Sequence, residues 1–256
     1  MVFAPHVRVV DYDHGSSMAV RQERSTPTWR GSYRSPTNIV EVPRDEAFWP
    51  PLDHSAAARA PAMLFAAGDV ALLRAPWRVA IVGARKASES GRRRAAKLAG
   101  LLARAGVVVV SGLALGIDHA AHTSAIRTGG RTIAVLGTTL DRCYPAKHAR
   151  LQEQMYREHL IVSQLPIGAN ISGASFIARN RTMAMFCHAS VIVEASDTSG
   201  SLSQAAETQR LGRPLFIMRN VVENKELKWP PSFLKHGAII LDDVAQIIDV
   251  LPDADS

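Results

Sequence analysis

The sequence predicts an α/β fold, a doubly wound, mostly parallel Rossmann-like sheet with helices on both faces, and three observations lead there. Short runs rich in Val and Ile recur from residue 78 onward, among them RVAIVG (78–83), VVVVS (107–111) and VIVEA (191–195). They are apolar along their whole length instead of alternating, which marks strands covered on both faces. Amphipathic stretches of helical period separate them, and strand–helix alternation of this kind builds a parallel sheet.

Taken in order, RVAIVG is a strand with its turn. SESGRRRAAKLAGLLARAG follows as a helix, with Leu98, Leu101, Leu102 and Ala105 on one face and Gly106 as its C-terminal stop. VVVVS is a fully buried strand, GIDHAAHTSAIRTGG a helix stopped by Gly-Gly, RTIAVLG a strand, HARLQEQMYREH a helix and LIVSQ (160–164) a fourth strand. After a loop come a helix opening with SFIARNRTMAMF, the strand VIVEA, the helix GSLSQAAETQRLG, the strand PLFIM (214–218) and a weak last pair, AIIL and DDVAQIIDVL.

Upstream, residues 1–45 mix Ser, Pro, Thr, Arg and Gly with few periodic apolar positions and are expected to be disordered or irregular. Residues 46–76, with Phe48, Trp49, Leu64 and Phe65 available to pack, read as a short extension docked on a domain spanning 77–256.

The 256 residues are 47% hydrophobic, enough for one large core. Cys143 and Cys187 stand far apart without metal-ligand spacing, which points to a reducing cytoplasm and away from disulfides or structural zinc. No apolar run approaches the roughly 20 residues that span a bilayer, and MVFAPHVRVV lacks the plan of a secretion signal. The net charge is +7 and local: residues 74–150 hold fourteen basic and three acidic side chains, whereas 151–256 hold nine basic and twelve acidic. A concentrated basic surface attracts polyanions, nucleic acid foremost; a soluble basic face without a ligand is the alternative.

In a doubly wound sheet ligands sit beyond the C-terminal strand ends, and four junctions there are rich in small or anion-binding residues. At GARKASESG (83–91), Gly83 permits a tight turn, the helix start suits a phosphate, and Arg85 and Lys86 add charge. At SGLALGID (111–118), Ser111, Gly112 and Gly116 would let an anion approach the backbone, with Asp118 capping the next helix or holding Arg85. GTTLDRCYPAKH (137–148) interleaves Arg142 and Lys147 with Tyr144, a pattern of single-strand binding surfaces. At ASDTSGSLSQAAE (195–207), Ser199, Gly200 and Ser201 open a helix with several N–H and O–H donors.

His119 and His122 have no further ligands nearby and read as structural or hydrogen-bonding groups, while Met183, Met185 and Phe186 read as core. No GxGxxG, GxSxG, HExxH or Walker motif occurs, and no nucleophile has an identifiable base. No cofactor or metal is expected.

Six blocks, VAIVGARKAS, GVVVVSGLALGIDHAAHTSAI, GGRTIAVLGTTLDRCYP, SFIARNRTMAM, ASVIVEASDTSGSLSQA and GRPLF, together resemble the DprA/Smf family of DNA-processing proteins in order and spacing. The resemblance covers about residues 60–220, and FWPPL with PAMLFAAGDVALL resembles that family's lead-in. It implies a non-catalytic, cytoplasmic single-stranded DNA-binding protein that protects the strand, hands it to a RecA-type recombinase during natural transformation, and forms a homodimer. The positions carried over as DNA contacts are Arg85, Lys86, Lys147, Phe176, Arg179 and Arg181. Departures from the family pattern are His148 in place of an Asn, MRN (218–220) in place of PG, and the lack of room for a C-terminal winged helix.

Those departures leave open a regulator of the same type bound to a partner such as a toxin, or a nucleotide sensor using the same crevice. A nucleotide phosphoribohydrolase is disfavoured, because the PGGxGTxxE motif of those enzymes is replaced and Gln204 stands where their glutamate would fall.

Overall fold

A computed structural model of the protein describes residues 8–10, 33–44 and 48–253. Its sheet has ten strands among the described residues: β1 (Arg8–Val10), β2 (Ile39–Pro43), β3 (Met63–Gly68), β4 (Arg78–Gly83), β5 (Val108–Ser111), β6 (Thr132–Leu136), β7 (Leu160–Ser163), β8 (Ala189–Glu194), β9 (Leu215–Met218) and β10 (Ile239–Leu241). Their spatial order is β1-β2-β3-β7-β6-β5-β4-β8-β9-β10. Every pair from β7 to β10 is parallel, and β1, β2 and β3 extend the β7 edge antiparallel. The doubly wound α/β expectation therefore holds for the core.

Side chains alternate across the pleat. Ala80, Val82, Val110, Val135 and Val162 face a cluster built from Met183, Met185 and Phe186 of helix α5 (Gly173–Phe186) and from Phe48 and Trp49. Val79, Ile81, Val107 and Val109 face the opposite way, onto α2 (Glu89–Arg104) and α3 (Ile117–Arg127). Ala134, Leu136 and Ile161 pack with Met155 of α4 (Ala149–Glu158). Burial on both faces is the reason these strands read as uniformly apolar. The Met183–Phe186 cluster is core, as expected.

Two arginines fasten the lead-in to this core. Arg78, 3% exposed, donates Nε–H to the Phe186 carbonyl at 2.8 Å and Nη2–H to that of Phe48 at 3.1 Å. Arg213 bonds the carbonyls of Ala184 at 2.8 Å and Pro50 at 3.2 Å. Burial lowers the pKa of Arg78 to about 10.

Several details differ from the sequence reading. Residues 8–10 and 39–43, expected to be irregular, form β1 and β2, and 63–68, expected in a docked extension, form a strand between β2 and β7. These strands are short and gain their hydrogen bonds from one another and, through β3, from distant β7, a signal that local periodicity does not carry. Most of the remaining expected tail lies outside the described residues. Ala105 is the exposed C-cap of α2 instead of part of its buried face, while Gly106 follows at φ +77°, the left-handed stop expected of it. Cys143 and Cys187 are buried free thiols. Among the described residues no helix is long and apolar enough to cross a membrane.

Candidate nucleic-acid interface

Strand order reverses at β4: β5, β6 and β7 are added on one side of it and β8, β9 and β10 on the other. Helices leaving adjacent strands there lie on opposite faces, so their loops part and leave a crevice at the C-terminal ends of β4 and β8. That crevice has a volume of about 1050 Å³ and is walled by the β4–α2 turn, the β8–α6 loop and the crevice side of α5, where α6 spans Ser201–Arg210.

One lip is a cation among aromatic rings. The Arg85 guanidinium carbon lies 5.7 Å from the centre of the Phe176 ring and 6.0 Å from that of Tyr144, and these two rings meet edge to face at 5.7 Å. Contacts of this kind contribute about 0.5–1 kcal/mol at an exposed site. Gly137 makes room, because a Cβ there would stand 2.5 Å from Phe176 Cδ1. Arg85 and Lys86 are exposed and form no salt bridge among the described residues.

Arg179 is placed differently from its neighbours in sequence. It is 6% exposed, and Nη1–H donates to the carbonyls of Gly112 and Val135, both at 2.7 Å. Its guanidinium takes the space of a Gly112 side chain, since a Cβ there would lie 2.0 Å from Nη1. Asp118, 5% exposed, accepts from the N–H groups of Gly112 at 3.1 Å and Ala114 at 3.2 Å. Burial pushes the Asp118 carboxyl above the usual carboxylate range, opposed by Arg179 and these donors; burial likewise lowers the proton affinity of Arg179. Asp118 thus neither caps its own helix nor holds Arg85, and Arg179 braces the crevice floor.

The expected phosphate loops divide in the same way. Ser111 is fully buried and donates to the Ile81 carbonyl at 2.6 Å, and the Gly112 N–H is occupied by Asp118, so this junction satisfies its donors internally. Gly116, at φ +77°, and Gly83 allow close packing: a Cβ would meet the Ala84 carbonyl oxygen at 2.3 Å in the first case and that of Glu194 at 2.6 Å in the second. The start of α2, expected to be open to a phosphate, already carries a carboxylate. Glu194 accepts from Ser88 N–H at 2.7 Å and Ser88 Oγ at 2.6 Å, with Arg94 at 3.6 Å.

At the fourth junction Leu202 N–H bonds the Ser199 carbonyl at 3.1 Å and Ser203 N–H that of Gly200 at 3.2 Å, but the space in front of the turn is unfilled. Nothing lies within 4 Å of a Cβ built on Gly200; Ser199 and Ser201 share a hydroxyl hydrogen bond at 2.7 Å; and Asn180 ties α5 to the Gly200 carbonyl at 3.1 Å and Ser203 Oγ at 2.9 Å.

Lys147 and Arg181 lie outside the crevice. Lys147 is exposed on the turn before α4, where its charge adds to burial and to His148 in lowering the proton affinity of His119. Arg181 follows Arg179 by two residues, about 200° around a helix. It lines a shallower groove with Arg59, Met63, Phe65 and Gln164. His148 stacks on His119 at 4.7 Å and donates to the Leu113 carbonyl at 2.9 Å, pinning the β5–α3 loop. His122 is fully buried and bonds Thr132 Oγ1 at 2.7 Å, and burial lowers its pKa to about 3. Among the described residues no group of three or more His, Cys, Asp or Glu is placed to hold a metal ion.

Glu194 and Asn180 were missed in the sequence. A carboxylate ending the strand VIVEA at the switch point was a visible signal, whereas nothing local marks Asn180 as the bridge between two helices.

Residues 41–252 match the family model described as DNA recombination-mediator protein A. The chain belongs to that family. It is 41% identical over 168 residues to DNA processing protein DprA of Streptococcus pneumoniae, covering 66% of this chain and 59% of that one. It is 33% identical over 211 residues to protein Smf of Escherichia coli, covering 82% and 56%. The chain thus spans little more than half the length of these relatives. Among solved structures it superposes on DNA processing protein A of S. pneumoniae with a TM-score of 0.73 and 33% identity, covering 83% of this chain and 74% of the other. It also superposes on that of Helicobacter pylori, described for its single-stranded DNA binding mode, with a TM-score of 0.70, 28% identity and coverage of 87% and 97%.

Proposed function

We propose that this chain binds single-stranded DNA without catalysis, holding the backbone with Arg85 and Lys86 and stacking a base on the Phe176–Tyr144 lip. The observation that carries this reading is the Arg85 guanidinium packed between two aromatic rings at the mouth of the crevice. Rings accept any base face, and a neighbouring fixed cation meets the phosphate that follows, a combination suited to single strands. A duplex buries its base faces and offers the lip nothing to stack on.

The chemistry of the crevice fits binding better than hydrolysis. Glu194 is held by Ser88 and Arg94, Asp118 by two backbone N–H groups, and the residue in the first turn of α6 that lines the crevice is an amide, Gln204. The open start of α6, with Ser199, Gly200 and Ser201, is a place for a strand phosphate; Lys147 and Arg181 serve at a distance, along the strand outside the crevice. Family membership supports a place in recombination, with the held strand passed to a RecA-type recombinase and a second copy of the chain as assembly partner.

The test is titration of labelled single- and double-stranded oligonucleotides at two salt concentrations. A preference for the single strand that weakens with salt is expected. Equal affinity for both, or none for either, would overturn the reading. Thermal shifts with mono-, di- and cyclic nucleotides check a free nucleotide as the occupant, since a tight ligand raises the melting temperature.

A further inference from the structure

We propose that the outer face of α2 and α3 is a second polyanion track, along which a single nucleic-acid strand leaving the crevice continues. The inference rests on the strand-binding reading of the crevice and adds a surface to it. The starting point is the fate of the local basic surplus. Arg78 is consumed by backbone carbonyls, Arg74 lies over Phe48, and Arg93, Arg94 and Arg131 pair with Glu89, Glu194 and Asp69. Lys97 and Arg104 on α2 and Arg127 on α3 are exposed and have no carboxylate partner among the described residues. Beyond the helix-dipole complement that Arg104 and Arg127 give in the last turns of α2 and α3, their charge is turned to solvent.

The geometry connects these residues to the crevice. Helix α2 starts at the crevice wall, where Ser88 bonds Glu194, and runs away from it. Lys97 and Arg104 fall within about 20° of one another around the helix and span about 10 Å at 1.5 Å per residue. That length matches roughly three phosphates of a stacked strand at about 3.4 Å each. Helix α3 closes against α2 at Gly100, where a Cβ would stand 3.2 Å from Thr128 Oγ1, and Ser124 Oγ donates to the Ala96 carbonyl at 2.6 Å, so Arg127 joins the same face.

The chemistry of this face selects nucleic acid over an acidic protein. Protein interfaces centre on apolar and aromatic anchors. Among the described residues the exposed large hydrophobic side chains are Tyr144, Ile177 and Val250, none of them on α2 or α3. Spaced cations without an apolar anchor suit a repeating line of charges.

The test compares wild type with the triple variant Lys97→Gln/Arg104→Gln/Arg127→Gln, using oligothymidylates short enough to be held by the crevice alone and others several times longer. Wild type should bind the long strand more tightly, and the variant should lose that gain while binding the short strand as before, which also shows that it is folded. Three lost phosphate contacts should reduce the slope of log K against log salt by about 2, so raising salt from 50 to 200 mM should weaken wild type roughly twentyfold more than the variant on the long strand. An unchanged slope and long-strand affinity in the variant would overturn the track while leaving the crevice reading intact. Failure of wild type to bind either length would overturn the crevice reading first. Loss of an acidic protein ligand by the variant, with strand binding untouched, would assign the face to a protein instead.

Discussion

Arg179→Ala distinguishes a cation that touches DNA from one that builds the place where DNA lies. The guanidinium makes two charge-assisted bonds at 2.7 Å to the Gly112 and Val135 carbonyls, in a site where it is 6% exposed. Hydrogen bonds to charged groups contribute about 1.5–3 kcal/mol each. Their loss takes a charged donor from two buried carbonyls and deprives Asp118, 5% exposed, of its nearby cation. Removing one member of such a buried arrangement costs about 3–5 kcal/mol, and the desolvation of Arg179 itself keeps the sum from being larger.

Urea denaturation at neutral pH followed by circular dichroism should therefore show a stability loss of about 3–5 kcal/mol, together with weaker single-strand binding. Adding Asp118→Asn should return about 1 kcal/mol or more, because an amide oxygen still accepts from Gly112 and Ala114 without needing a cation. Arg85→Ala, an exposed site, should instead weaken binding while changing stability by less than about 1 kcal/mol. An Arg179→Ala protein of wild-type stability that has lost only its affinity for DNA would refute the reasoning.

Two further outcomes follow from the same geometry. Phe176→Ala should cost about 1–3 kcal/mol of single-strand affinity, roughly 5- to 150-fold, across unrelated base sequences; fluorescence anisotropy showing loss with one sequence alone would contradict a stacking role. His122 has a folded pKa of about 3 against 6.5 unfolded, so the native state binds fewer protons between those values; its contribution to stability is complete above pH 6.5 and is lost as pH falls, by up to about 1.4 kcal/mol per pH unit. His122→Gln, less stable at neutral pH through its lost Thr132 contact, should show a shallower acid limb in melting temperature against pH.

The core was readable because each parallel strand is buried on both faces. Uniform runs such as TIAVL and LIVS therefore announce themselves locally, and the Ser88 and Gly106 punctuation of α2 is local chemistry as well. β2 and β3 were not readable as sheet, since their hydrogen-bond partners lie about a hundred residues away in β7 or in each other.

The site shows a similar division. Residue types and their order were enough to place Arg85 and Lys86 at a junction beyond the strand ends, because the chain can only reach its crevice through those loops, whereas Phe176, on α5, entered through the family resemblance. Which side each cation faces was settled by tertiary packing. Arg179 and Arg181 differ by about 200° of helix rotation, so one braces the floor and the other lies in a separate groove. Which anion-ready junction has space in front of it was settled there too: Glu194 occupies the start of α2 and Asp118 the Gly112 and Ala114 donors, whereas nothing lies within 4 Å of a Cβ built on Gly200 ahead of α6. A sequence specifies donors and charges through local chemistry, but whether they are already satisfied depends on groups brought beside them from a hundred residues away.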